Sequence, residues 1–130
     1  MTREAARRRV LVVDDNVDLA TATALVLQLC GHVAVMAFTG RDAVEKARSF
    51  LPDLVILDLG LPDQSGYDVA RALREDVGLR RAVIVMISAH EIEQDHPADG
   101  PCLVDRRLIK PVNILKLLRS LDPSSPSEPD

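Results

Sequence analysis

A chain of 130 residues has the size of one domain, able to bury about two-thirds of its unfolded surface. Apolar residues make up 47 % and aromatics only 2 %, so the core must be aliphatic and few rings remain to stack on nucleic-acid bases. A net charge of −4 argues further against direct nucleic-acid contact, and no apolar run approaches the ~20 residues of a membrane span.

In chain order, residues 1–9 form a basic arm without the apolar stretch of a secretory signal, so a cytoplasmic protein is expected. Val10-Leu11-Val12-Val13 is apolar throughout, as a strand buried on both faces should be. A helix over about 17–30 follows. Its apolar positions Ala22, Leu25, Val26 and Leu29 recur at helical spacing, and Gly31 stops it. Residues 33–36 read as a second strand. Thr39 and Asp42 resemble a capping pair for a helix that carries Ala43, Val44, Ala47 and Phe50 and ends at Pro52. The third strand, 54–57, delivers Asp58, and Ser65 is the expected cap of a helix with Val69, Ala70 and Leu73 inward.

Residues 83–87 make a clear fourth strand. The stretch 90–101 holds Pro97, Gly100 and Pro101, and an interior proline costs a helix about 3 kcal/mol, so any helix there should be short or disrupted. A weak fifth strand over 106–109 precedes a last helix over 112–121, which should bury Ile114, Leu117 and Leu118. Residues 122–130, rich in proline and serine, read as a disordered tail or linker stub. Cys30 and Cys102 lack the spacing of a metal or redox motif and are expected to be reduced thiols. Five alternations of strand and helix predict an α/β fold with a doubly wound parallel sheet, residues 10–121 forming the domain.

Ligands of such sheets bind at the carboxyl ends of the strands. There the first strand delivers Asp14-Asp15, the third Asp58, the fourth Ser88 and the fifth Lys110. On its own, Asp14-Asp15 reads equally well as a cap on the following helix. With Asp58 beside it, the pair makes a crowd of carboxylates that raise one another's pKa values, and a hard divalent cation relieves the repulsion. Mg²⁺ accepts one or two carboxylates and keeps positions for water and phosphate, so Asp15 and Asp58 are its expected ligands. Asp58 is the expected nucleophile towards phosphorus, forming an acyl phosphate. Lys110 supplies a compact positive charge and Ser88 a hydroxyl donor for phosphoryl oxygens.

The segments V-L-V-V-D-D-N at 10–16, V-I-L-D-L-G-L-P at 55–62, S-G-Y-D at 65–68, I-S-A at 87–89 and K-P at 110–111, with their spacing, closely resemble the receiver domain of two-component response regulators over 10–121. The resemblance implies a flavodoxin-like five-stranded sheet of order 2-1-3-4-5. It implies that Asp58 is the phosphoacceptor, charged by a histidine kinase or a phosphotransfer protein. Asp15, Asp58 and the carbonyl of Gly60 would ligate Mg²⁺ directly, and Asp14 largely through water. Ser88 takes the hydroxyl position, Ala89 the small residue beside it and Lys110 the lysine, with a cis peptide before Pro111. Such a domain catalyses only its own phosphotransfer and dephosphorylation, and passes its signal by protein contact to an output protein or domain.

Two features depart from the family. Its switch position three residues before the lysine is usually aromatic and is Arg107 here, whose charge needs a partner if it turns inward. The family's fourth helix maps onto the proline-rich stretch 90–101, so signalling without a fourth-helix dimer is expected. Three rival readings exist. A small Mg²⁺-dependent aspartyl phosphatase would carry D-x-D-x-T on the first strand, where this chain has D-D-N. A flavin or nucleotide carrier would need a glycine- or hydroxyl-rich phosphate loop at that point. A pseudo-receiver would bind a partner without phosphorylation.

Overall fold

In the computed structural model, residues 7–89 and 103–121 are described. Strands β1 (Arg9–Val13), β2 (Val33–Ala37), β3 (Leu54–Asp58), β4 (Val83–Ser88) and β5 (Arg106–Ile109) form one sheet of order β2-β1-β3-β4-β5. All four pairings are parallel, as the resemblance implies. Helices α1 (Val17–Leu29) and α4 (Ile114–Leu121) cover one face. Helices α2 (Gly40–Phe50) and α3 (Gly66–Glu75) cover the other, and a 3-10 turn, Val77–Leu79, follows α3.

Sandwiched between layers, β1 from Val10 onward and all of β3 are fully apolar until they reach their acids. One face buries Leu11, Val13, Val55 and Leu57 against Ala43, Ala47, Val69, Ala70 and Leu73. The other buries Val10, Val12, Leu54 and Ile56 against Ala20, Leu27 and Leu117. From β1 the chain winds outward to β2, and from β3 it winds the opposite way to β4. The crevice of a doubly wound sheet opens at this reversal, between the carboxyl ends of β1 and β3.

Local chemistry sets the helix ends. Asn16, and neither aspartate, caps α1 by accepting from the Leu19 N–H at 3.0 Å. Gly31, at φ 94°, takes the left-handed turn that stops it. Thr39 accepts from the Asp42 N–H at 3.0 Å, and Ser65 with Asp68 forms a reciprocal capping box at α3.

Of the four apolar positions whose spacing marks α1 as a helix, only Val26 is half-buried, and the face that docks is a different one. Ala20, Ala24 and Leu27 are buried, whereas Ala22 is exposed and Leu25 and Leu29 are 53 % and 79 % exposed. Apolar residues surround this helix, so more than one stripe satisfies helical spacing and the docking of small alanines against the sheet decides. Arg9, assigned above to the basic arm, opens β1. Its guanidinium donates to the Phe50 carbonyl at 3.0 and 2.7 Å and lies 4.2 Å from the Phe50 ring centre. The proline-rich stretch, Cys102 and the tail lie outside the described residues. Among those described, Cys30 is a free, exposed thiol and no helix is long and apolar enough to cross a membrane.

One pH effect follows from the β1–β2 edge. His32 Nδ1 accepts the Arg8 N–H at 3.0 Å, and burial, followed by the charge of Arg8, lowers its pKa. The folded state therefore prefers neutral imidazole. Its contribution is full above the unfolded pKa near 6.5 and is lost as pH falls through the lower folded value. Melting curves between pH 8 and pH 5 should show a decline in wild type that His32→Gln flattens. A parallel decline in both proteins would contradict this.

Candidate functional site

Parallel register brings the acids level. Val13 pairs with Leu57, so Asp14 follows β1 just where Asp58 ends β3. The Asp14 N–H donates to the Ala37 carbonyl at 3.1 Å, and Asp14 Oδ1 accepts from the Asn16 N–H at 2.9 Å. Its other oxygen, Oδ2, lies 3.6 Å from Lys110 Nζ, which is equally 3.6 Å from Asp58 Oδ1. Asp14 and Asp58 are only 8 % and 7 % exposed, while Asp15 is exposed on the rim. One carboxylate oxygen from each of the three lies within 4.8 Å of the others.

This donor set suits a hard cation. It offers only oxygens, with more negative charge than one ammonium balances, and an exposed side at Asp15 through which a hydrated ion can enter. Burial, then the charge of Asp14 and more weakly that of Asp15, raises the Asp58 pKa; Lys110 and the Gly60 N–H, 3.4 Å from Asp58 Oδ1, oppose the rise. Gly60 is exposed with open space around it. Next to the acids, a cavity of about 160 Å³ runs between Leu19 and Thr23 of α1 and the Pro111–Val112 turn.

Ser88 closes β4 and is buried, and its carbonyl accepts the Lys110 N–H at 2.8 Å. Hydroxyl and lysine thus stand at neighbouring strand ends, with Ala89 exposed beside them. The Lys110–Pro111 peptide is cis. Arg107 stands apart from the acids. It turns towards α3, where its Nε donates to the Tyr67 hydroxyl at 3.3 Å and its guanidinium lies 6.0 Å from the ring centre. The partner that an inward arginine needs is therefore an aromatic supplied by α3. Sequence reasoning did not single out Tyr67, which the fold buries in the same cluster as Ile84, Met86 and Val104.

Gly66 is a second residue whose role shows only in three dimensions. A Cβ there would stand 2.7 Å from the Asp58 carbonyl oxygen and 2.8 Å from Met86 Sδ. Only glycine lets α3 start this close to the end of β3.

Comparison with known proteins agrees with this geometry. The model of the response regulator receiver domain matches residues 10–122. The DNA-binding response regulator MtrA of Mycobacterium tuberculosis is 42 % identical over 86 residues, covering 66 % of this chain and 36 % of that protein. The transcriptional regulatory protein KdpE of the same organism is 36 % identical over 112 residues, covering 86 % and 48 %. The chain thus spans between about a third and a half of these relatives. Among solved structures, chemotaxis protein CheY4 of Vibrio cholerae superposes with TM-score 0.79 at 27 % identity, covering 89 % of this chain and 97 % of that one. The signal receiver domain of a Luxo repressor protein from Vibrio parahaemolyticus gives 0.74 at 30 % identity, covering 88 % and 87 %. With the family model matched from β1 through the last helix, and the acids and lysine meeting where that fold opens, this chain belongs to the response regulator receiver domain family.

Proposed function

We propose that residues 10–121 act as a phosphoacceptor unit of a two-component system in the cytoplasm, taking a phosphoryl group onto Asp58 with Mg²⁺ as cofactor. The observation that carries this reading is Lys110 Nζ standing 3.6 Å from both Asp14 and Asp58 within a cluster of three carboxylates. A carboxylate oxygen of Asp58 attacks phosphorus in line. The bond from phosphorus to the donor, an imidazole nitrogen of a histidine kinase or phosphotransfer protein, breaks, and the leaving nitrogen keeps the electron pair. Bound Mg²⁺ would neutralise charge on the transferring oxygens, held by Asp15, Asp58 and the Gly60 carbonyl, with Asp14 acting through water. Lys110 and the Ser88 hydroxyl would receive the phosphoryl oxygens once the group is in place, with Ala89 leaving room beside them. Arg107, on Tyr67, occupies the switch position, and the signal passes by protein contact to an output protein or domain.

A phosphorylation-independent interaction module is the second reading, favoured only by Arg107 standing where the family usually has a ring. Incubation with acetyl phosphate and Mg²⁺ followed by intact mass measurement separates the two. Phosphoacceptor function gives one added phosphoryl group that EDTA prevents; an unchanged mass supports the second reading.

Lys110 makes a split prediction. Its ammonium competes with a cation for Asp14 and Asp58, so Lys110→Ala should bind Mg²⁺ more tightly in a calorimetric titration. Yet loss of a preplaced charge facing the phosphoryl oxygens should slow uptake by roughly 10²–10³-fold. Weaker Mg²⁺ binding by this variant would show that the lysine is not a competitor.

A further inference from the structure

The loop from β3 to α3, residues 59–65, carries Gly60. Backbone bonds close its base: the Leu59 N–H donates to the Ile87 carbonyl at 2.8 Å, the Gly66 N–H donates to the Leu59 carbonyl at 2.8 Å, and Gly60 bridges to Ser65. Its tip is tied to a different element. The Asp63 carboxylate accepts the Gly40 N–H at 2.8 Å and the Arg41 N–H at 3.0 Å. These are the first two N–H groups of α2, which have no acceptor within their own helix. Gln64 presses on the same turn, since a Cβ on Gly40 would come within 2.5 Å of Gln64 Cγ. The two N–H groups at this positive helix end keep the Asp63 carboxyl below its ordinary pKa, so it stays ionised and bound near neutral pH.

That first turn of α2 is itself joined to the acids. Ala37, at the end of β2, accepts the Asp14 N–H, and only Phe38 and Thr39 separate it from Gly40. A closed circuit therefore runs from Asp14 through Ala37 and α2 to Asp63, then back along the loop to Gly60 and Asp58. Gly60 has open space where a side chain would be, so the loop is not held by packing at that point. We propose that Asp63 is a positioning residue for the cation site: by clamping the loop tip onto α2 it sets the separation between the Gly60 carbonyl and the Asp14–Asp15 carboxylates. This inference rests on the Mg²⁺ reading given above.

Calorimetric titration of the full 130-residue chain with MgCl₂ tests it, using three variants. Asp63→Ala removes the clamp, Asp63→Asn keeps an acceptor without the charge, and Thr39→Ala removes the cap of α2 without touching the loop. Groups that orient metal ligands typically govern affinity by 10–100-fold, and a clamp acting through one loop should show about five- to tenfold weakening in Asp63→Ala and about two- to threefold in Asp63→Asn. Thr39→Ala should lower the melting temperature in EDTA yet bind Mg²⁺ as wild type does. Wild-type affinity in both Asp63 variants overturns the proposal, leaving Asp63 a helix cap alone. Equal weakening in Thr39→Ala and Asp63→Ala also overturns it, because the effect then comes from the stability of α2. If Asp63→Ala does not fold, the comparison of Asp63→Asn with Thr39→Ala decides by the same criteria. A wild-type chain that binds no Mg²⁺ brings down the site reading itself, a different failure from any of these.

Discussion

Replacing Asp58 with asparagine should abolish phosphoryl uptake and, in metal-free buffer near neutral pH, raise the melting temperature. A nucleophile ordinarily contributes nothing to folding; this one works against it. Burial and the neighbouring Asp14 charge lift the Asp58 pKa above its unfolded value near 3.8, so the ionised form is penalised in the folded chain. A raised folded pKa means that the wild-type contribution is intact below about pH 4 and is lost as pH climbs through the folded value. The advantage of Asp58→Asn should therefore be absent in acid and grow towards neutrality. Saturating Mg²⁺ should reverse the order, because a ligand that binds only the folded state stabilises it and asparagine is the poorer partner for that ion. Melting curves with EDTA and with Mg²⁺, from pH 4 to pH 8, check both halves. An Asp58→Asn chain less stable than wild type in EDTA at neutral pH would contradict the electrostatic account.

The largest stability loss is expected far from the acids, at Arg74 on α3. Its side chain, 18 % exposed, donates to the Leu103 carbonyl at 2.9 Å, the Arg80 carbonyl at 3.0 Å and the Ala82 carbonyl at 2.7 Å, and to Asp105 Oδ2 at 2.9 Å. The same Asp105 oxygen accepts the Ile84 N–H at 2.8 Å, so one guanidinium joins α3, the approach to β4 and the approach to β5. Orphaning a buried polar group costs about 1–3 kcal/mol, and Arg74→Ala orphans several at once with partial access to water, for a loss of roughly 3 kcal/mol. Arg74→Lys keeps one charge for Asp105 but cannot fork to three carbonyls, and should fall between the two. Urea unfolding measures this directly. A loss under about 1 kcal/mol for Arg74→Ala would mean that water replaces the arginine freely.

Arg74 also shows where a sequence stops being readable. Asp58, Asp14, Asp15, Ser88 and Lys110 were legible because each ends an apolar run, and parallel strands of one sheet must bring such ends to one edge. Asp63 and Arg74 end no run; Asp63 accepts from groups 22 and 23 positions away, Arg74 donates to groups 6, 8, 29 and 31 positions away, and most of these are backbone groups, which leave no mark in the side-chain pattern. The strands and caps were readable for the same local reasons, Ser65 and Thr39 among them. The buried face of α1 was not, because Leu25 and Leu29 are as apolar as Leu27 and only the closeness of Ala20 and Ala24 to the sheet selects the face. Arg107 was readable as a departure, but not its solution: the ring comes from α3, and nothing in the order of residues places Tyr67 beneath β5.

The central claim is that Asp58 itself carries the phosphoryl group as a mixed anhydride. Reduction with borohydride after acetyl phosphate and Mg²⁺ converts an aspartyl phosphate to homoserine, and sequencing the peptide that spans β3 then reports the modified position. Homoserine at position 58 alone, absent from samples treated with EDTA, is the result this account predicts. Homoserine at position 14 or 15, or at no position at all, would contradict it.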